Sequence, residues 1–294
     1  MPPVLPYKTY GEFIAERFPW KMQKLAVNAG FTCPNRDGSI GKGGCVYCNN
    51  KAFSPSYCDE KDSVTVQLEK GKDFFGRKYP DMHYLAYFQA YTSTYSSNRD
   101  YLISLYREAC RVFRIEGIII STRPDCVDTK LFDSLKEIEK TGKRVMLEFG
   151  VETSHDATLK IINRGHTWID CIDAVKLASE YGYDACAHLI MGLPNETEDQ
   201  MIETVRNIVR LPVTSIKFHQ LQIIKGTPLE NDFEKMEIKL FTVEEYLDLC
   251  KKIISIVPRE IAIERFTASA PKDLLIAPKW GIKNYEFVNM LYKK

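Results

Sequence analysis

The chain of 294 residues has no run of 18 or more apolar residues, so it offers no membrane-spanning helix. It also lacks a dominant charge: 40 Lys and Arg stand against 39 Asp and Glu, for a net charge of +1. No global basic field advertises nucleic acid, although a local basic patch is not excluded. The first 20 residues have no apolar h-region and carry Lys8, Glu12, Glu16 and Arg17. No signal peptide is therefore visible, and a cytoplasmic chain is expected. There is no internal repeat and no low-complexity segment. The five histidines, at 83, 155, 166, 188 and 219, form no zinc-like pair, and no second C-x2-C follows the one at 45–48.

What the sequence does have is nine cysteines, an odd count that argues against a secreted disulfide framework in a chain of this size. Cys110, Cys126, Cys171, Cys186 and Cys250 are scattered singly and read as buried small hydrophobes. Cys58 reads as structural too, with a spare thiol near the site as the other reading. Cys33, Cys45 and Cys48 differ, because "CPNRDGSIGKGGCVYC" places all three in one glycine-rich loop. A structural zinc site takes four protein ligands. This loop supplies three, and His155 or His166 would complete the set only by a long-range contact. Thiolates hold a [4Fe–4S] cluster one per iron, so three of them leave one iron open to a substrate or cofactor. The cluster is the better fit; cysteines that bind nothing are the bland alternative. Gly38, Gly41, Gly43 and Gly44 let the backbone bend and aim N–H groups at sulfur.

Around the loop, short apolar strands at 24–29, 82–90, 117–122, 144–152, 184–194 and 215–224 alternate with helices at 64–79, 98–113, 128–142, 168–182 and 196–211. Such alternation predicts a parallel sheet with helices outside, either doubly wound or an incomplete barrel. Residues 1–23 read as an N-terminal extension with a helix at 10–18. Residues 226–294 read as a C-terminal extension packed on the core, with a helix at 242–257 and a strand at 261–266. In α/β folds sites gather at the carboxyl ends of strands. The cysteine loop follows the first strand, so other strand ends should line the same cavity. On the fourth strand, alternation puts Glu148, Gly150 and Glu152 on one face, the glycine leaving room between two carboxylates.

A C-x2-C pair with Tyr47 before its last cysteine, and a third cysteine after the first strand, resembles the radical S-adenosylmethionine (SAM) superfamily. The superfamily's usual spacing has three residues between the first two cysteines. The long form here, with "AGFTCPNRDG" and "GGCVYC", resembles its YhcC/YtqA-type branch, related to the radical SAM part of the Elongator catalytic subunit. The resemblance runs on, in order, through "YFQAYTSTY", "STRPDCV", "GVETSHDATLKIINRGHT", "LIMGLPNETEDQM" and "APKWGIKN", nearly the whole chain. It implies an α/β fold, a partial (β/α)6 TIM-like barrel over 24–225 with a C-terminal extension. It implies a [4Fe–4S] cluster on Cys33, Cys45 and Cys48, with SAM on the open iron.

The resemblance also implies SAM contacts. Tyr47 lies near the adenine, with packing under the loop as its bland reading. The usual Gly-Gly-Glu stretch is replaced by "FQAYTS", where Gln89 and Tyr91 stand in for it. Ser121 and Arg123 face the ribose or the substrate, unless Arg123 is a surface charge. Glu152 meets the SAM hydroxyls, Arg164 the SAM carboxylate, and Ile190 and Gly192 the adenine. His166 caps the following helix.

The implied chemistry is reductive cleavage of SAM to methionine and a 5′-deoxyadenosyl radical, which abstracts a hydrogen atom. With no second cluster motif or flavin fingerprint, an external electron donor such as a flavodoxin, a ferredoxin or a reductase is expected. The branch is associated with tRNA wobble-uridine modification, carboxymethylaminomethyl-uridine to aminomethyl-uridine. Lys272, Lys279, Lys283, Lys293 and Lys294, with Trp280 and Tyr285 as stacking rings, are the candidate tRNA surface; a solvated tail with core aromatics is the other reading. Two alternatives stand beside it. One is a small-molecule, porphyrin-like substrate, because "GVETS" with Arg164 and His166 also resembles coproporphyrinogen-oxidase-like members. The other is a non-catalytic metal- or cluster-binding protein.

Overall fold

The computed structural model describes residues 5–76, 79, 81–233, 238 and 240–292. In chain order its elements are β1 (Lys8–Thr9), α1 (Tyr10–Ala15), β2 (Met22–Val27), α2 (Pro34–Asp37), α3 (Val64–Gly76), β3 (His83–Phe88), α4 (Arg99–Arg111), β4 (Ile115–Thr122), α5 (Thr129–Glu139), β5 (Arg144–Glu152), α6 (Asp156–Ile161), α7 (Trp168–Glu180), β6 (Asp184–Met191), α8 (Glu198–Ile208), β7 (Ser215–Gln220), β8 (Ile223–Ile224), α9 (Pro228–Phe233), α10 (Val243–Ile256), β9 (Ala262–Arg265), β10 (Leu275–Ala277) and α11 (Asn284–Leu291). The helices begin where the sequence offers caps. Asn98 and Asp128 accept from Tyr101 and Leu131 N–H groups at 3.0 and 2.7 Å. Capping boxes open α1, α7, α8 and α10. His166 is not the cap of α7; Thr167 is, paired with Asp170.

Eight strands form one parallel sheet in the order β1-β9-β7-β6-β5-β4-β3-β2. The six predicted strands are β2 to β7, and with their helices they make a partial (β/α)6 barrel. The sheet does not stop at β7. β9 pairs with β7, and β1 pairs with β9, so both extensions add strands. β2 and β1 stand at the two edges and do not pair, which leaves the barrel open. The predicted strand 215–224 breaks after Gln220. β8 turns away to pair antiparallel with β10, while Gln220 and Gln222 donate to the Ala268 carbonyl. The end of the predicted helix 64–79 falls at 77–78, outside the described residues.

The sheet has two different faces. Its outer face is a continuous apolar layer under the helices, with Ile118, Ile120, Leu147, Phe149, Val151 and Phe218 all buried. That is the expected composition of a parallel strand covered by helices. On the inner face Leu85, Ile119 and Met146 pack instead with Phe13 and Ile14 of α1, which fills the interior near the strand beginnings. Arg17, just past α1, pairs with Asp184 at the start of β6 at 2.6 Å and holds this plug in place.

Phe149 is fully buried in the outer layer. Phe149→Ala is expected to cost about 3–5 kcal/mol of stability by leaving a cavity between β5 and its helices. Tyr285→Ala, at a 60% exposed ring, should change stability by less than about 0.5 kcal/mol. Urea denaturation of both variants checks this.

Candidate active site

The cysteine loop is built to be held from one side. Cys33 precedes α2, Pro34 opens that turn, and Gly38, with φ 96°, ends it in the left-handed region. Asn35 is fully buried beneath the loop and donates to the Asn163 carbonyl. Gly41 is required there, because a Cβ would fall 2.2 Å from Asn35 Oδ1. Asn163 in turn donates to the Gly44 carbonyl at 2.8 Å, and Val46 N–H to the Ile162 carbonyl at 3.1 Å. The loop is thus fastened to the segment after α6.

Cys33, Cys45 and Cys48 line one cavity of about 150 Å³ at the carboxyl end of the sheet, together with Gln89, Ser121 and Arg164. Among the described residues no three His, Cys, Asp or Glu side chains converge on a single ion. A [4Fe–4S] cluster asks for the opposite arrangement, one thiolate per iron around a larger body. Arg164 Nη1 donates to Cys45 Sγ at 3.4 Å and Asn35 Nδ2 at 3.6 Å, the kind of N–H donors that stabilise cluster sulfur. The donor set, three thiols at one cavity with N–H donors at Cys45, therefore fits a cluster. Burial, then the neighbouring Cys45, pushes the Cys48 thiol up to about 12. A metal that takes this sulfur must displace its proton.

Beyond the cysteines the cavity continues into a chamber of about 310 Å³. Tyr47, Gln89, Ser121 and Glu152 line both parts, and Ile190 lines the chamber. Glu152 reaches the cavity by a route that simple alternation does not describe. The β5–β6 register shifts between Gly150 and Glu152, and Glu152 itself has φ 69°. Tyr91, on the cysteine side, has φ 54°. Two non-glycine residues in the left-handed region at one cavity are local strain held by the surroundings. The space beside Gly150 is filled by Arg164, whose Nη2 donates to the Gly150 carbonyl at 2.7 Å and lies 3.3 Å from Glu152 Oε1.

Some predicted residues lie elsewhere. Gly192 lines neither part of this cavity. Its φ is 89°, and a Cβ there would meet the Phe241 ring at 3.1 Å, so it serves the packing of the β6–α8 turn against the C-terminal region. Arg123 is not a surface charge. It is buried and lines the cysteine end of the cavity, paired with Asp125 at 2.7 Å and donating to the Arg164 carbonyl at 2.6 Å. His166 is buried as a neutral ring, held at about 2 by burial and by Arg164 and Arg123. His155 bonds the Gln200 carbonyl, away from the cysteines. Trp280 donates to the Phe241 carbonyl and stacks on Phe287, a packing role rather than a free stacking face. Lys272, Lys279, Lys283 and Tyr285 are exposed, while Lys293 and Lys294 lie outside the described residues.

Of the floor of the chamber the sequence offered Glu148, on one strand face with Glu152, but not the partners that surround it. Glu148 accepts from Tyr87 and lies 2.6 Å from Lys24, 3.0 Å from Lys217 and 2.7 Å from His188. Glu264 completes the network, 2.7 Å from Lys24 and 2.9 Å from Lys217. Burial alone would raise the Glu148 carboxyl; Lys217, Lys24 and His188 outweigh it and hold it well below the usual carboxylate range. Lys217, His188, His219, Gln220, Gln222 and Arg265 face the chamber above.

An open parallel α/β barrel with three cysteines after its first barrel strand defines a class of cluster-dependent enzyme folds. The radical SAM superfamily model matches residues 31–208, and the model of the radical SAM C-terminal domain matches residues 213–294. The chain belongs to the radical SAM superfamily and is an enzyme of that class. It is 37% identical to protein YhcC of Escherichia coli strain K12, over 92% of this chain and 86% of YhcC. It is 25% identical to a tRNA uridine(34) acetyltransferase of Methanocaldococcus jannaschii, over 61% of this chain and 32% of that protein. The structure of archaeal Methanocaldococcus infernus Elp3 superposes with a TM-score of 0.61 at 17% identity, covering 92% of this chain and 63% of that one, and so shares the fold. Among the described residues no helix is long and apolar enough to cross a membrane.

Glu148→Gln leaves two buried ammonium groups facing one remaining carboxylate and is expected to cost about 3–5 kcal/mol at pH 7. Because the folded carboxyl is depressed, its contribution is present above the unfolded value of about 4.3 and is lost as pH falls toward the folded one. Urea denaturation at pH 7 and at pH 4 and below should show the gap between wild type and Glu148→Gln narrowing in acid.

Proposed function

We propose that Cys33, Cys45 and Cys48 hold a [4Fe–4S] cluster and that the adjoining chamber binds SAM and the wobble uridine of a tRNA, whose carboxymethylaminomethyl group is converted to aminomethyl. Loss of a hydrogen atom from the carbon beside the carboxylate and of one electron to a redox partner would leave an iminium, which water splits into the aminomethyl product and glyoxylate. The cofactor reading rests on one observation above all: Cys33, Cys45 and Cys48 share one cavity at the carboxyl end of the sheet. When bound, the cluster and SAM supply one-electron cleavage of a sulfonium C–S bond and with it a hydrogen-abstracting carbon radical. The chain's own residues then bind and orient. Arg164 offers its planar fork beside Cys45, the position suited to a cofactor carboxylate. Its Nε is buried without a partner, a donor that a bound group can satisfy. Glu152 lies beside it as an acceptor for hydroxyls. Tyr47, Gln89, Ser121 and Ile190 form the walls, with Ile190 as the apolar face for a purine.

The tRNA reading is supported by the likeness to the tRNA uridine(34) acetyltransferase. It is supported also by Lys272, Lys279 and Lys283, exposed near Tyr285 in sequence, as phosphate contacts and a stacking ring. An external flavodoxin, ferredoxin or reductase supplies the electron.

Anaerobic reconstitution followed by SAM and dithionite tests the chemistry, with 5′-deoxyadenosine followed by chromatography. Wild type and Cys250→Ala should retain iron and make the product. Cys33→Ala, Cys45→Ala and Cys48→Ala should lose both, and full iron content in Cys45→Ala would refute the ligand set. For the substrate, a deletion strain should accumulate carboxymethylaminomethyl-uridine at the wobble position. An unchanged modification profile in that strain sinks the tRNA reading.

A further inference from the structure

The chamber carries one charge that its surroundings leave unbalanced. Its ionised lining consists of Glu152, Lys217 and Arg265. Glu152 has Arg164 at 3.3 Å. Lys217 has Glu148 and Glu264 at 3.0 and 2.9 Å, and Lys24 shares the same two carboxylates. Two ammonium groups and two carboxylates cancel. Arg265 is left over. Among the described residues no carboxylate lies within ion-pair distance of it. Its Nη2 sits 2.9 Å from His219 Nδ1, and its Nε is buried without a partner. His219 brings no compensating charge, because an imidazole is neutral or cationic, and burial and Arg265 itself hold this ring neutral.

Arg265 reaches the chamber through a distortion of β9. Ile216 pairs with Ile263, but Lys217 pairs with Arg265, so Glu264 is an extra residue in the strand. A bulge of this kind re-aims a side chain. Here two consecutive residues serve the interior: Glu264 bonds the lysines of the floor, and Arg265 lines the space above them. A partly buried guanidinium without a counter-ion is costly unless a ligand supplies the anion. Its fork matches a carboxylate in bidentate fashion. Arg265 does not line the cysteine end of the cavity, so the anion it awaits is not one held at the cysteines.

We propose that Arg265 determines substrate specificity by binding the carboxylate of the substrate's modified side chain, at the end of the chamber away from Cys33, Cys45 and Cys48. This rests on the reading of carboxymethylaminomethyl-uridine as substrate. Gln222 lines the same chamber, and its Oε1 is buried without a donor, an acceptor suited to the amine of that group. The aminomethyl product has no carboxylate. Arg265 thus separates substrate from product and favours product release.

The test uses the reconstituted enzyme, SAM, dithionite and tRNA purified from the deletion strain. A second batch of that tRNA has its carboxylate blocked by carbodiimide coupling to methylamine, and its binding is compared with that of the acid form. Wild type should prefer the acid by about tenfold or more. Arg265→Gln should raise KM for the acid by a similar factor, change kcat less, and abolish the preference, with iron content and SAM binding unchanged. Arg265→Lys should fall between them. A purely structural role for Arg265 would not move the acid-against-amide ratio. Unchanged KM with the preference intact in Arg265→Gln overturns the inference and leaves the substrate reading standing. Wild type that cleaves SAM but does not convert the tRNA removes the substrate reading, and the inference with it. Should Arg265→Gln fail to fold, the wild-type ratio decides, and equal binding of acid and amide overturns the proposal.

Discussion

The Glu148 carboxylate is the interaction on which the barrel interior depends. Its donors come from four strands: Lys24 on β2, Tyr87 on β3, His188 on β6 and Lys217 on β7. One side chain on β5 therefore ties strands on both sides of it. Lys24 extends the tie further. β2 is one edge of the sheet and β9 lies next to the other edge, yet Lys24 reaches Glu264 on β9 at 2.7 Å. Backbone hydrogen bonds do not close this barrel, and a buried ion network spans its opening instead. Such a network contributes little net stability when intact, because desolvation offsets the Coulomb attraction. Breaking it is expensive, since each survivor is left as an uncompensated buried charge. Its effect is to fix the curvature of the sheet and the depth of the chamber.

Curvature alone does not place the functional side chains. Two register shifts do that, one on β5 before Glu152 and one at β9 before Arg265. They explain what could and could not be read from the sequence. The cysteine loop, the six barrel strands and most helix starts were legible, because spacing, apolar runs and capping residues are local signals. Lys217 was hidden in an apolar run, "SIKFHQLQII", where a lone lysine gives no hint of Glu148, which lies 69 positions earlier. Arg265 was hidden by alternation: Ile263 faces the outer core, so a regular strand would turn Arg265 outward with it. Only the extra residue at Glu264 brings it inside, and the pairing partner that reveals the bulge is distant in sequence. Gly192 illustrates a distant contact of another kind. A left-handed glycine at a strand end suits close approach to a ligand, but Phe241, from a segment with no local link to it, occupies that space.

The cavity has two ends with different origins. The cysteines, Arg164, Glu152 and Ser121 come from the region matched by the superfamily model at 31–208, and Lys217, His219, Gln222 and Arg265 from the region matched separately at 213–294. The first end carries soft sulfur ligands, with Arg36, Arg123 and the Glu152–Arg164 pair lining it. The second is polar and one positive charge in excess. Arg265 on β9, with His219 and the Lys217–Glu148 network near it, lets the chamber attract an anionic group away from the cysteine end. It also makes the substrate end separable. Changes on β7 and β9 can alter which anion is received while the loop, Asn35 and Arg164 stay as they are. By this argument β7 and β9, rather than the cysteine loop, set what the chamber receives.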